Sequence, residues 1–143
     1  MGITYYTLKI LIQDPYDNMF EDILNRCQAK FKNITGTQIG MTKPDTIEIT
    51  RDDWTYTLVW VNDEDYLMEL KEMAKIVYKE KSDYQQIIYS TNCYIDGWST
   101  DDPNMNYFND YVSVQEVFDQ IPNIYIIENE ELIRSSDATK PEE

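Results

Sequence analysis

The stretch TIEITRDDWTYTLVWV, residues 46–61, decides the fold class. β-branched and aromatic residues fill both of its halves, and the polar segment RDDW lies between them. Such residues are enriched in strands, and two runs of them joined by a few polar residues are typical of an antiparallel hairpin. The stretch therefore predicts two paired strands and a sheet that is mostly antiparallel.

Helical patterns lie on both sides of this hairpin. Residues 20–31 carry apolar side chains at helical spacing. Farther along the chain, Asn62 or Asp63 can cap a second helix. The predicted inward stripe of this helix is Leu67, Leu70, Ala74, Val77 and Tyr78. Ser113, with Glu116 three residues later, forms a capping box that predicts the start of a third. We therefore expect about three helices.

Further strands are predicted by three apolar segments. Residues 4–12 alternate between apolar and polar side chains, and residues 84–95 are rich in Ile and Tyr without a helical stripe, which predicts a strand or a hairpin bent near Asn92. Residues 123–128 are too short a run for an independent helix and are predicted to form the final strand. Residues 33–45, with two glycines and a proline, are predicted to form a loop. The predicted order of elements is β-α-β-β-α-β-α-β.

These elements predict an α+β fold with one domain. A chain of 143 residues fits a single core. We expect residues 1–134 to form a single globular α+β domain of two layers, with helices on one face of a mostly antiparallel sheet of four to six strands. The last stretch, residues 135–143, reads SSDATKPEE and is predicted to be a disordered acidic tail.

Charge narrows the range of partners. The net charge is −15, from 27 acidic and 12 basic residues. A protein with such a field repels phosphate backbones and anionic lipid surfaces, so neither direct nucleic-acid binding nor membrane binding is expected. No apolar run approaches the length of a membrane helix. The sequence predicts a cytoplasmic protein, and its richness in Ile, Asn, Lys and Tyr indicates a bacterial or phage source.

The residues that most enzymes use are missing. Histidine is absent, and neither phosphate-binding glycine motif, GxGxxG or GxxxxGK[ST], occurs. Asp102 begins an Asp-x-Asn-x-Asn pattern similar to an EF-hand calcium loop, but Tyr107 replaces its glycine and Ser113 its last glutamate. Cys27 and Cys93 are predicted to be reduced thiols. We therefore expect no enzyme activity, no cofactor and no metal site.

The candidate binding segment is DGWSTDDPNMNYFNDY, Asp96–Tyr111, which combines acidic, aromatic and asparagine residues without a base. Aromatic side chains anchor many protein interfaces, and exposed acids speed and orient association with basic partners. The predicted anchors are Trp98, Tyr107, Phe108 and Tyr111. The predicted steering charges are Asp101, Asp102 and Asp110.

These features predict a small acidic protein-binding inhibitor that blocks a basic partner by occluding its cationic surface. Toxin-immunity proteins and phage-encoded inhibitors block their targets in a similar way, so a nuclease-like toxin or a nucleic-acid enzyme would be a suitable partner. Two alternatives remain open. One is a carbohydrate or small-ligand binding module that uses residues 96–111, and the other is a carboxylate-dependent enzyme.

Overall fold

The computed structural model of the chain describes residues 5–128 and 131–134, so the predicted tail, 135–143, lies outside the described residues. The elements in chain order are β1 (Thr7–Ile12), α1 (Met19–Lys30), β2 (Thr37–Lys43), β3 (Thr46–Arg51), β4 (Trp54–Val61), α2 (Glu64–Val77), α3 (Ser82–Tyr89), β5 (Cys93–Ser99), α4 (Phe108–Asp119), β6 (Ile124–Glu128) and β7 (Glu131–Arg134). The strands form one sheet in the order β2-β3-β4-β5-β1-β6-β7. Every neighbouring pair is antiparallel.

The predicted hairpin at residues 46–61 is confirmed. Strands β3 and β4 pair in register, with Ile49 opposite Tyr56 and Arg51 opposite Trp54. Asp52 turns the chain between them in the left-handed region, at φ 57°. Aspartate adopts this conformation more readily than most residues, which explains why this polar segment can close the hairpin.

Helices cover both faces of the sheet. The larger core lies on the α1 and α4 side and includes Leu8 and Ile10 of β1, whereas the smaller core lies on the α2 and α3 side and includes Leu11, Tyr94 and Ile127. The α+β class with an antiparallel sheet is confirmed. The predicted two-layer arrangement needs correction, because successive apolar residues in β1 require cover on both sides, and α2 with α3 provides it.

The helix and strand counts also exceed the prediction. The described residues contain four helices and seven strands. Strand β2 lies in the segment predicted to be a loop, and α3 occupies the first part of residues 84–95, which were predicted to be a strand. The Tyr84 ring of α3 contacts the Tyr78 ring edge-on, with centroids 5.2 Å apart, and Gln85 Nε2 donates to the Ala74 carbonyl at 3.4 Å. These contacts with the end of α2 stabilise α3 as a helix.

Gly97 provides a test of packing between the sheet and its larger core. A Cβ atom added there would lie 3.0 Å from Tyr56 Cε1 and 3.2 Å from Leu58 Cδ2. Both neighbours are fully buried and have little room to move. We expect Gly97→Ala to lower the free energy of unfolding by about 1–3 kcal/mol, the usual cost of overpacking, in urea titrations.

Gly40→Ala is the matched control for this substitution. Gly40 also lies in a strand, but no atom lies within 4 Å of the position that its Cβ would take. We expect this variant to be as stable as the parent or slightly more stable, because glycine in a strand interior is entropically unfavourable. Equal stability of the two variants would contradict tight packing at Gly97.

Candidate functional site

Asp102 holds the loop between β5 and α4 in place. The residue is buried, at 2% exposure. Its carboxylate accepts hydrogen bonds from the Tyr6 hydroxyl at 2.8 Å and from the backbone amides of Asn106 and Tyr107, both at 2.9 Å. A carboxylate beside the amides at a helix start also suits the helix dipole. Asp102 therefore stabilises the beginning of α4, which explains why this helix starts at Phe108, ahead of the predicted cap.

Asp110 is also used inside the fold. It is 5% exposed and forms a bidentate pair with Arg51, with Nε to Oδ2 at 2.7 Å and Nη2 to Oδ1 at 3.0 Å. The hydrogen bonds to Asp110 raise the pKa of Arg51. The Arg51 guanidinium lies 5.2 Å from the centroid of the Tyr107 ring, which stacks on Trp54 at 5.3 Å. These contacts fasten the start of α4 to the β3–β4 hairpin.

Tyr111 lies in a stack of three buried tyrosines. Its ring centroid is 4.6 Å from that of Tyr6 and 5.8 Å from that of Tyr56. Its hydroxyl donates to Glu128. Burial is the main cause that raises the pKa of Tyr111 far above the ordinary value, and this hydrogen bond adds to the shift. With 3% exposure, Tyr111 belongs to the core.

Three predicted contact residues therefore need correction. Asp102, Asp110 and Tyr111 are buried and bonded within the fold, so they are not available as steering charges or as an anchor. Tyr107 is only partly exposed, because it stacks on Trp54 and donates through its hydroxyl to Asp53 at 3.0 Å. Through these four residues, the loop before α4 and the start of α4 are bonded to the rest of the fold.

The remaining predicted residues are exposed, but they do not form one cluster. Asp101 is exposed, and Trp98 and Phe108 are each 42% exposed. Phe108 contacts Tyr6, a member of the larger core, with ring centroids 6.0 Å apart. Trp98 instead lies on the opposite face of the sheet, beside α2. The two rings therefore lie on different faces of the sheet.

Trp98 forms one wall of a groove between the sheet and α2, which we call the Trp98 groove. The groove encloses about 480 Å³. Its sheet side is formed by β1 and β5, and its helix side by Met73, Val77 and Tyr78. In full it is lined by Thr7, Leu8, Lys9, Met73, Val77, Tyr78, Asp96, Gly97, Trp98 and Ile127. It is the described feature that best combines an exposed aromatic ring, apolar walls and charge.

The lining of the Trp98 groove contains one acidic and one basic side chain, Asp96 and Lys9. Lys9 Nζ lies 3.1 Å from Asp96 Oδ1, so the cation in the lining is paired. Burial raises the pKa of nearby Tyr94 to about 12, and the carboxylates of Asp96 and Glu69 add to this shift. A neutral hydroxyl is favoured there because a phenolate would face two negative groups.

The described residues include two thiols and many carboxylates. No group of three or more Cys, Asp or Glu side chains among them is placed to hold a metal ion. Cys27 and Cys93 are unlinked and buried. Burial raises the pKa of Cys27 to about 12 and that of Cys93 to about 11, so both thiols are protonated at neutral pH. Within the described ranges, no helix has the length and apolarity needed to span a bilayer.

The sequence interpretation placed Val77 and Tyr78 on the inward face of α2, but it missed that Met73 lies beside them in the groove. Met73 and Val77 line it, and Met68 and Ile76 lie exposed on the same helix. A signal was present in the sequence, because Met68 and Ile76 lie outside the stripe of α2 residues that was predicted to face inward.

Comparisons with models of protein families, with curated proteins and with solved structures found no match for this chain.

Proposed function

We propose that this protein is a small acidic inhibitor that binds a basic protein and covers the partner's cationic surface. The observation that carries the proposal is Trp98, held half-exposed in a groove of a strongly acidic protein. Tryptophan is among the residues that most often dominate binding energy when a partner covers them. Suitable partners are a nuclease-like toxin or a nucleic-acid enzyme, met in the cytoplasm.

Rigidity of the site supports this proposal. Trp98 lies in β5, which pairs with β1 on one side and with β4 on the other. The segment that follows is fastened by Asp102 and by the pair of Arg51 with Asp110. A surface that is already ordered loses little conformational entropy when a partner binds, so more of the contact energy appears as affinity.

The charge supports fast association more than tight binding. Exposed ion pairs contribute only about 0–1 kcal/mol each, whereas a net charge of −15 attracts a basic protein over a longer range. We therefore assign affinity mainly to Trp98 and its apolar neighbours, and the rate of encounter to the surrounding acids.

The test is an affinity purification followed by titration with the captured protein. We expect the partner to have a basic surface and to lose its own activity when bound. Trp98→Ala should weaken binding by about 2 kcal/mol or more, which corresponds to about thirtyfold in Kd. The variant should fold normally, because the ring is 42% exposed.

Phe108→Ala is the matched control for this experiment, because the Phe108 ring is equally exposed but lies on the other face of the sheet. We expect it to change affinity by less than about threefold. Equal effects of the two variants, or a partner that is itself acidic, would contradict the proposal.

A second candidate function follows from the size of the groove. A volume of about 480 Å³ lies within the usual range for small-ligand sites, and the Trp98 ring beside the paired Lys9 and Asp96 could stack on a sugar and bind its hydroxyls. Binding of a glycan from an array would favour a carbohydrate or small-ligand module, provided that Trp98→Ala abolishes the binding and a basic protein does not compete with the glycan.

A further inference from the structure

The outward side of α2 exposes more apolar surface than a solvated helix requires. Of the nine large apolar side chains that are exposed among the described residues, α2 carries four: Tyr66, Met68, Ile76 and Val77. Ile76 is the most exposed of the nine, at 76%. Apolar side chains gathered in one place indicate a surface that another molecule covers.

These apolar residues alternate with acids along one side of the helix. Asp65, Glu69 and Glu72 lie among them, and all three are exposed. Together they line a shallow depression, which we call the α2 stripe: Asp65, Met68, Glu69, Glu72, Met73, Ile76 and Val77. The lining contains three carboxylates, of which Glu72 pairs with Lys75 of the same helix at 3.2 Å, so Asp65 and Glu69 are the acids that carry the argument.

The α2 stripe continues the Trp98 groove. Met73 and Val77 belong to the lining of both. The two depressions therefore form one surface, with Trp98 at one side and the length of α2 at the other. The helix contains 14 residues and is thus ~21 Å long, enough to lie beside several turns of another helix.

We propose that the α2 stripe takes an amphipathic basic helix of the partner, an inference that rests on the proposed function and names the element that the partner presents. Apolar residues of that helix would pack against Met68, Met73 and Ile76. Its Lys or Arg side chains would reach Asp65 and Glu69, because cations and these carboxylates complement each other along the same side.

An extended segment fits this surface less well than a helix does. The strands beside the groove, β5, β1 and β6, each have a hydrogen-bonded neighbour on both sides. No strand edge is open there for an added strand. A helix needs no such edge, since its backbone hydrogen bonds are internal and its side chains pack into those of α2.

A second copy of this chain is also a poor occupant. In a twofold contact through the α2 stripe, the carboxylates of one copy would face the same carboxylates of the other. Each chain also carries a net charge of −15, so two copies repel each other before contact. The charge of the surface is therefore complementary to a basic partner and not to itself.

The probe for this proposal is a synthetic amphipathic peptide of about 18 Leu and Lys residues at helical spacing. The control peptide has the same Leu and Lys composition, but the two residue types alternate strictly. It therefore carries the same charge and lacks the spacing of an amphipathic helix. We expect saturable one-to-one binding of the first peptide, at least about tenfold tighter than the second. In methyl NMR spectra, the largest shifts should fall on Met68, Met73 and Ile76.

Two protein variants locate the binding surface. Ile76→Glu adds one negative charge within the α2 stripe and should weaken binding of the helical peptide by about tenfold or more. Met105→Glu adds the same charge at a residue that is 55% exposed and outside the stripe, and it should leave the affinity within about twofold. Circular dichroism checks that both variants keep the parent's helix content.

Four outcomes would overturn the inference. Equal binding of the two peptides would indicate charge attraction alone, and equal affinity of the Ile76→Glu and Met105→Glu variants would place the helix elsewhere. Self-association of the parent that Ile76→Glu abolishes would make the stripe a contact between copies. If Trp98→Ala lowers the affinity for the captured partner and Ile76→Glu does not, the proposal of a bound helix is wrong and the proposed function stands.

Discussion

We expect the free energy of unfolding to fall steeply as the pH rises from 10 to 12. Burial and the hydrogen bond to Asp102 raise the pKa of Tyr6 from 10.0 to about 12, and burial raises that of Tyr94 to about 12. These tyrosines stabilise the fold fully below pH 10, and their contribution is lost as the pH approaches 12, because the unfolded chain releases the protons first.

The expected size of this loss is large. Each unit of pKa shift corresponds to about 1.4 kcal/mol, so a shift of two units contributes at most about 3 kcal/mol for each of the two tyrosines, and solvent screening lowers this figure. Tyr111 shifts in the same direction, since its pKa is raised further by burial and by Glu128. Typical domains are stable by only about 5–15 kcal/mol, so we expect unfolding within this pH range.

Denaturant titrations at several alkaline pH values measure this dependence, and absorbance of phenolate reports when the tyrosines ionise. Tyr94→Phe should make the stability fall less steeply with pH, because it removes one shifted hydroxyl. Tyr5→Phe, at a residue that is 57% exposed, is the matched control. Constant stability between pH 9 and 12 would contradict the assignment.

Asp110→Ala is expected to lower the free energy of unfolding by about 3 kcal/mol, the lower end of the range for breaking a buried ion pair. The substitution leaves the Arg51 guanidinium without its bidentate partner. The lower end applies because Arg51 keeps 27% of its side chain exposed and can recover some hydration. Urea titration at neutral pH gives the value.

Two comparisons separate the effect of breaking the ion pair on stability from the effect of removing one negative charge. Asp101→Ala removes the same charge from an exposed residue and should cost less than about 1 kcal/mol. A double variant, Arg51→Met with Asp110→Leu, should recover much of the loss, because apolar residues of similar size often replace buried pairs at little cost. Equal losses in Asp110→Ala and Asp101→Ala would show that the pair contributes nothing.

The hairpin and two of the helices could be predicted because their signals are local. The segment RDDW and its flanking residues need no distant contact to indicate a turn. Asn62 or Asp63 was predicted to cap α2, and the cap is Asp63, whose Oδ1 accepts from the Asp65 amide at 2.8 Å. The buried face of α1, including Ile23 and Cys27, follows directly from helical spacing.

Strand β2 and helix α3 could not be predicted because distant contacts decide their structure. Strand β2 contains Gly40 and is followed by Pro44, which are loop signals, yet pairing with β3 makes it a strand. Residues 84–89 consist of Tyr, Gln and Ile, which tolerate either structure, and packing beside α2 makes them helical. Local preference is weak where it competes with such contacts.

The candidate site was predicted only in part, because distant contacts also decide which of its side chains are exposed. Trp98 is exposed as expected, but the sequence could not indicate that it would lie in a strand beside α2. Asp110 resembles any exposed acid until its partner is known, and Arg51 lies 59 positions away in the chain. Composition therefore identified the segment, whereas only the fold separates its contact residues from its internal ones.

The position of β1 in the middle of the sheet affects how the chain is made in the cell. Its neighbours, β5 and β6, lie far along the chain, and the bonded pair Lys9 and Asp96 is separated by 87 positions. Among the described strands, β2, β3 and β4 are consecutive in the chain and in the sheet, so they can pair before β5 is made. We therefore expect the apolar residues of β1 to stay unpaired during synthesis until β5 and β6 have been made, and a chaperone that binds apolar segments would protect them in that interval.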